Sequence, residues 1–156
     1  MRGVVNNLCE IYPAQPGSVR MARHRLTDFA AAAGATEQQL EAVRLASSEA
    51  LTNAAVHAYR GHEGSIQVTA ALVSNELWVL IADDGCGLEP HTDRPGLGLG
   101  LGLIAQLTDH LAIAPRASGG TEVRMRFNLV GTDRAGANQI RRQREHRPSA
   151  RIGNSA

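Results

Sequence analysis

Lysine is missing from the sequence: all 16 basic residues are arginine. That absence excludes a P-loop, whose lysine sits on the nucleotide phosphates, and a eukaryotic-type protein kinase, which needs a strand lysine. Schiff-base catalysis is excluded as well. If the chain holds a nucleotide, its phosphates must rest on backbone amides, arginine or a metal ion. Aromatic residues make up only 3% of the chain, so its core must come from Leu, Val, Ile and Ala. The two cysteines, Cys9 and Cys86, are far apart and form no metal or redox spacing. Cys86 stands between two glycines and reads as a small residue in a tight loop rather than a reactive thiol. No apolar run approaches the ~18 residues of a membrane span. The N-terminus lacks a charged-then-apolar signal pattern, so a cytoplasmic chain is expected. With a net charge of +1, the overall balance makes no case for a nucleic-acid partner.

What is present suits one domain of 156 residues. Residues 3–12 read as an edge strand, broken by Pro13, Pro16 and Gly17. Ser18 is the expected N-cap of a helix from about Val19 to Ala33, stopped by Gly34, with Val19, Ala22, Leu26, Phe29 and Ala30 on its buried face. Thr36 and Gln39 form a capping box for a second helix, Glu37 to Tyr59, with Leu40, Val43, Ala50, Leu51 and Ala54 as its apolar face. Ser65–Leu72 and Glu76–Ala82 read as strands joined by a turn at Ser74–Asn75. A short helix starts within the glycines after residue 95 and runs through Gln106. His110–Ala114 and Thr121–Leu129 read as two last strands, joined at Ser118–Gly120. Strands joined mostly by hairpins, with helices inserted, predict an α+β sandwich in which helices cover one face of a mixed, mostly antiparallel sheet. Residues 1–16 then form an edge strand and turn of the same domain, and 17–130 its core. The tail 131–156 lacks apolar periodicity and carries six Arg against Asp133 and Glu145, so it reads as disordered.

Four features carry possible chemistry. Glu49, Asn53 and His57 are spaced i, i+4, i+8 and line one helix face. Such a stripe is either solvated or aimed into a site, where an amide oxygen suits a hard cation and a carboxylate suits proton abstraction. Asp83-Asp84-Gly85-Cys86-Gly87 follows an apolar strand. It is either a plain acidic turn or a carboxylate set to accept from an exocyclic amine, with glycines giving close access to a flat ligand. Gly96, Gly98, Gly100 and Gly102 alternate strictly with leucine. Glycines at a helix N-terminus expose N–H groups that favour phosphate, although the dinucleotide fingerprint is not satisfied. Gly119-Gly120-Thr121 reads as a turn into a strand. His62 and His91, even taken with His57, fit no recurrent zinc spacing.

The order of these features resembles the GHKL, or Bergerat-fold, ATPase superfamily over about Gly17 to Leu129. Glu49–His57 matches its N box, Asp83–Gly87 its first glycine box, Gly98–Gly102 its second, and Gly120–Thr121 its closing motif. The segment SEALTNAAVHAY and the short chain are most similar to the anti-sigma-factor serine kinases. The resemblance implies ATP and Mg²⁺ as cofactors, Glu49 as catalytic base and Asn53 as the Mg²⁺ ligand, with His57 in the same box. It implies that Asp83 receives the adenine amino group, with Gly85 and Gly87 at the base and Thr121 in support. Gly98, Leu99, Gly100 and Gly102 belong to the phosphate loop, and Arg94 is the one basic side chain of the lid. Arg23 matches a partner-contacting position. The partners implied are a sigma factor and a small anti-anti-sigma (STAS-type) protein, with no nucleic acid and no membrane, and a homodimer.

Three functions follow. The first is a Mg²⁺-ATP-dependent serine kinase, favoured by Glu49. The second is an ATP-responsive binding module without phosphoryl transfer, favoured by the short lid 88–95 (LEPHTDRP) and by a glycine repeat that lacks polar residues. The third, a sensor histidine kinase's catalytic domain, is weakened because no dimerisation helices or phosphoacceptor segment precede the first strand.

Overall fold

The computed structural model describes residues 7–58, 62–86 and 97–129. Expectations for residues 3–6, Tyr59, Gly87, the lid with Arg94 and the tail 131–156 lie outside them. The described elements run β1 (Leu8–Pro13), α1 (Pro16–Ala32), α2 (Glu37–Thr52), a π-helical turn (Asn53–His57), β2 (Ser65–Val73), β3 (Glu76–Asp83), α3 (Leu97–Leu107), β4 (His110–Pro115) and β5 (Thr121–Asn128). The strands form one sheet in the order β1-β2-β3-β5-β4, antiparallel at every pairing. This is the α+β architecture expected from the sequence.

Alternation along the strands decides which face is covered. Ile66, Val68 and Ala70 of β2, Leu77, Val79 and Ile81 of β3, and Val123, Met125 and Phe127 of β5 are buried. Their alternates on the other face include the exposed Trp78, Arg124 and Asn128. The inner face packs with Ala22, Leu26 and Ala30 of α1, Val43, Ala46, Ala50 and Leu51 of α2, and Ile104 of α3. No large aromatic cluster is needed, because alanines let the helices lie close to aliphatic strands. Among the described residues no helix is long and apolar enough to cross a membrane.

The helix ends show where local chemistry decided and where it was overridden. Thr36 Oγ1 accepts from the Gln39 N–H while Gln39 Oε1 accepts from the Thr36 N–H, so the capping box is real. Gln39 also donates to the Asn128 carbonyl and ties the start of α2 to the end of β5. The first helix departs from expectation. It begins at Pro16 with Gln15 as an extended N-cap, and Ser18 makes no cap but is buried inside the first turn. Proline's fixed φ and missing N–H suit the first helical position, so Pro16 starts the helix rather than breaking the chain. At the other end Gly34 adopts φ +93. The Gly34 and Ala35 N–H groups return to the Ala31 and Ala30 carbonyls, which is a Schellman closure. Ser74 and Asn75 both take positive φ, as a two-residue hairpin of type I′ requires.

The second helix is not a plain α-helix to its end. After Thr52 the backbone widens into the π turn, and the Ala58 N–H reaches the Asn53 carbonyl five residues back. Such turns are rare and concentrate at functional sites.

Candidate nucleotide site

Glu49 of α2 and Asn53, the first residue of the π turn, stand on the side that meets α3. Gly100, the fourth residue of α3, is buried against them. A Cβ placed on Gly100 would lie 2.8 Å from Glu49 Oε2 and 3.9 Å from Asn53 Nδ2. The glycine therefore sets how close the glycine-rich helix comes to the carboxylate and amide. Gly98 and Leu99 lie in the first turn of the same helix. Gly102 differs: it is exposed, with open space where a side chain would project.

A second group forms at the end of β3. The Asp83 side chain is buried, and the Gly85 N–H donates to its Oδ1 at 2.9 Å. Burial raises the Asp83 pKa, and the neighbouring Asp84 charge adds to the rise; backbone bonds from Gly85 and Thr121, and the charge of Arg116, pull against it. Thr121, also buried, opens β5 beside it. Gly120 has φ +82, and a side chain there would run into the Asp83 carbonyl. Gly85 presses on the backbone of Ala58 just as tightly, and the Cys86 N–H donates to the Ala58 carbonyl at 2.8 Å. The loop after β3 is thus clamped between the end of the π turn and the β4–β5 turn. Ala58 joins the two groups, because it closes the segment that carries Asn53.

The arrangement offers a buried carboxylate beside a glycine loop, and a carboxylate–amide pair against a glycine-bearing helix. Among the described residues no three His, Cys, Asp or Glu converge as a metal set. The oxygen donors of Asn53 and Glu49 still fit a hard cation of the Mg²⁺ kind, which takes few protein ligands and completes its shell with phosphate oxygens and water.

Of the predicted residues, the structure brings together Glu49, Asn53 and Gly100, and separately Asp83, Gly85 and Thr121. His57 lies in the π turn. Arg23 is half-buried on α1, where its carbonyl accepts from the Thr27 hydroxyl. Sequence reasoning missed Ala58, Arg116 and Ser118. The last two bond the Asp83–Asp84 backbone and side chain from more than thirty residues away. No spacing rule signals them; only the β3–β5 register brings that turn to the loop.

A separate groove of about 520 Å³ lies between β1 and α1, lined by Glu10, Tyr12, Arg20, Met21, His24 and Arg25. Glu10 accepts from Arg25 Nη2 at 2.7 Å and from the Tyr12 hydroxyl. The Arg25 bond holds the Glu10 carboxyl below its ordinary value, while burial, followed by the bond to Glu10, pushes the Tyr12 hydroxyl up to about 12.

Residues 12–127 match the family model described as a histidine kinase-like ATPase domain. Similar proteins include an anti-sigma F factor of Clostridium acetobutylicum, 29% identical over 70% of this chain and 85% of its own length. An anti-sigma F factor of Clostridium botulinum is 31% identical over 70% of this chain and 86% of its own. The serine-protein kinase RsbW of Listeria monocytogenes is 33% identical over 55% of each chain.

Proposed function

Because the chain belongs to the histidine kinase-like ATPase domain family, we propose that it is an ATP-binding serine protein kinase of the anti-sigma type. In this reading it sequesters a sigma factor and phosphorylates a small anti-anti-sigma protein on serine. The observation that carries the reading is the meeting of Glu49 and Asn53 with Gly100 at the start of α3. N–H groups at a helix start favour phosphate, so the carboxylate and amide lie beside the place where a triphosphate would rest. Glu49 would take the proton from the serine hydroxyl as that oxygen bonds to the terminal phosphorus and ADP leaves, and Asn53 would be a ligand for Mg²⁺. When bound, Mg²⁺ supplies neutralising charge to the phosphoryl group. Asp83 accepts from the adenine amino group, with Thr121 supporting it. Exposed Met21 and the arginines of α1, Arg23 among them, supply the face on which a partner docks.

ATP affinity with and without Mg²⁺, in the intact protein and in Asp83→Asn, tests the nucleotide site. Binding that depends on Mg²⁺ and is lost in Asp83→Asn supports it; absence of binding in the intact protein overturns it. Glu49→Gln then tests transfer: it should hold ATP within about twofold while transfer falls by at least ~100-fold, the usual scale for losing a general base.

A second reading, an ATP-responsive binding module without transfer, is favoured by the short lid 88–95. Under it, no phosphoserine forms on any small antagonist, and Glu49→Gln changes nothing measurable.

A further inference from the structure

We propose that Arg116 is a positioning residue for base recognition: from the β4–β5 turn it holds the loop after β3 so that the Asp83 carboxylate faces the adenine. The proposal rests on the nucleotide-site reading above and extends it to a residue outside every motif of that site.

Asp83 ends β3 and Asp84 follows it in the loop, two adjacent carboxylates beside the proposed base site. Arg116 separates their roles. Its Nη1 donates to the Asp84 carboxylate at 2.8 Å and to the Asp83 main-chain carbonyl at 3.2 Å. Ser118 Oγ donates to the same Asp84 oxygen at 3.0 Å. Asp84 is therefore occupied on the turn side, while the Asp83 side chain points into the protein and is buried. Strand alternation sets the two on opposite faces, and Arg116 fixes that division after the strand's ladder has ended.

The anchor itself is firm. The Arg116 N–H donates to the Gly120 carbonyl and its own carbonyl accepts from Gly119. The arginine thus stands on a closed turn whose glycines already abut the loop. Its side chain is 26% exposed against 51% for Asp84, so the pair is only partly screened by water. On the opposite side the loop rests on Ala58 through Gly85 and Cys86. With Arg116 removed, that side still holds Gly85, but the bonds from the β4–β5 turn's guanidinium to the Asp83 carbonyl and to Asp84 are lost.

Both side-chain contacts leave one nitrogen, and a lysine ammonium has donors enough to make them. That property gives the test its rescue arm. ATP and GTP affinities are measured by calorimetry for the intact protein, Arg116→Met, Arg116→Lys, Asp84→Asn and the Arg116→Met/Asp84→Asn double variant. Arg116→Met should bind ATP about three- to tenfold more weakly, the range of a half-buried charged hydrogen bond, while GTP affinity, whatever its level in the intact protein, stays within about twofold. Arg116→Lys should return to within about twofold of the intact protein, and the double variant should be no worse than Arg116→Met. Unchanged ATP affinity in Arg116→Met, equal loss for ATP and GTP, or no rescue by lysine would each overturn the proposal. If Arg116→Met does not fold, Ser118→Ala must show a smaller ATP-selective loss, and its absence overturns the proposal in the same way. An intact protein that binds no ATP sinks the nucleotide-site reading and this proposal with it. An intact protein that binds ATP alongside an indifferent Arg116→Met sinks this proposal alone.

Discussion

Gly100 and Gly102 are neighbours in a repeat that looks uniform in sequence, yet they do different things. A methyl group on Gly100 would press on Glu49 Oε2, the tip of a flexible side chain that can swing away. A methyl group on Gly102 would enter open space. Alanine is favoured over glycine in a helix by about 1 kcal/mol, so Gly102→Ala should raise stability by up to that amount and leave ATP binding alone. Gly100→Ala should also fold, but with Glu49 displaced. Its phosphoryl transfer should fall by at least ~10-fold, because catalytic groups misplaced by a fraction of an ångström lose much of their effect. Urea melts and transfer assays on the two variants check this. Equal activity in both would remove the argument that Gly100 sets the Glu49 position.

At the scale of elements, the loop after β3 is fixed by backbone meeting backbone rather than by side chains. Gly85 lies against Ala58, and Gly120 against Asp83. Neither neighbour can move without shifting a helix end or a strand end. Gly120→Ala also forces an alanine to φ +82. It should cost about 1–3 kcal/mol in denaturant midpoint analysis, and Gly85→Ala a similar amount, with ATP binding weakened in both. A Gly34→Ala control, strained at φ +93 but with open space around it, should cost less than Gly120→Ala. These contacts also explain what the sequence revealed and what it hid. The capping box, the Ser74–Asn75 turn and all five strands were legible, because each depends on residues within one local window. The start of α1 at Pro16 was misread because a serine two residues on offered an equally good local cap. The π turn was hidden because EALTNAAVHAY has the apolar spacing of an ordinary α-helix. Arg116 and Ser118 were hidden because their roles exist only once β5 lies against β3.

At the scale of the whole molecule, one buried carboxylate links folding to the proposed ligand. Burial raises the Asp83 pKa above its ordinary value of 3.8, so the fold favours the protonated form. The stability that Asp83 contributes is then fully present below that ordinary value and is lost as pH rises through the raised, folded one. Asp83→Asn removes the buried charge that burial disfavours, while its one amide oxygen remains as acceptor for the backbone N–H groups of Gly85 and Thr121. Unliganded Asp83→Asn should melt above the intact protein at pH 7.5, the direction that the raised pKa requires. That gap should close as pH falls below about 4, where the carboxyl is neutral in both folded and unfolded chains. Saturating Mg²⁺-ATP should reverse the order at pH 7.5. A ligand at 100 times its dissociation constant adds about 2.7 kcal/mol to the intact protein and nothing to a variant that cannot bind it. Thermal melts of the two proteins, with and without nucleotide at both pH values, check each of these expectations. If Asp83→Asn melts below the intact protein at neutral pH without nucleotide, the carboxylate serves the fold, and the stability given up for a ligand must lie in another residue.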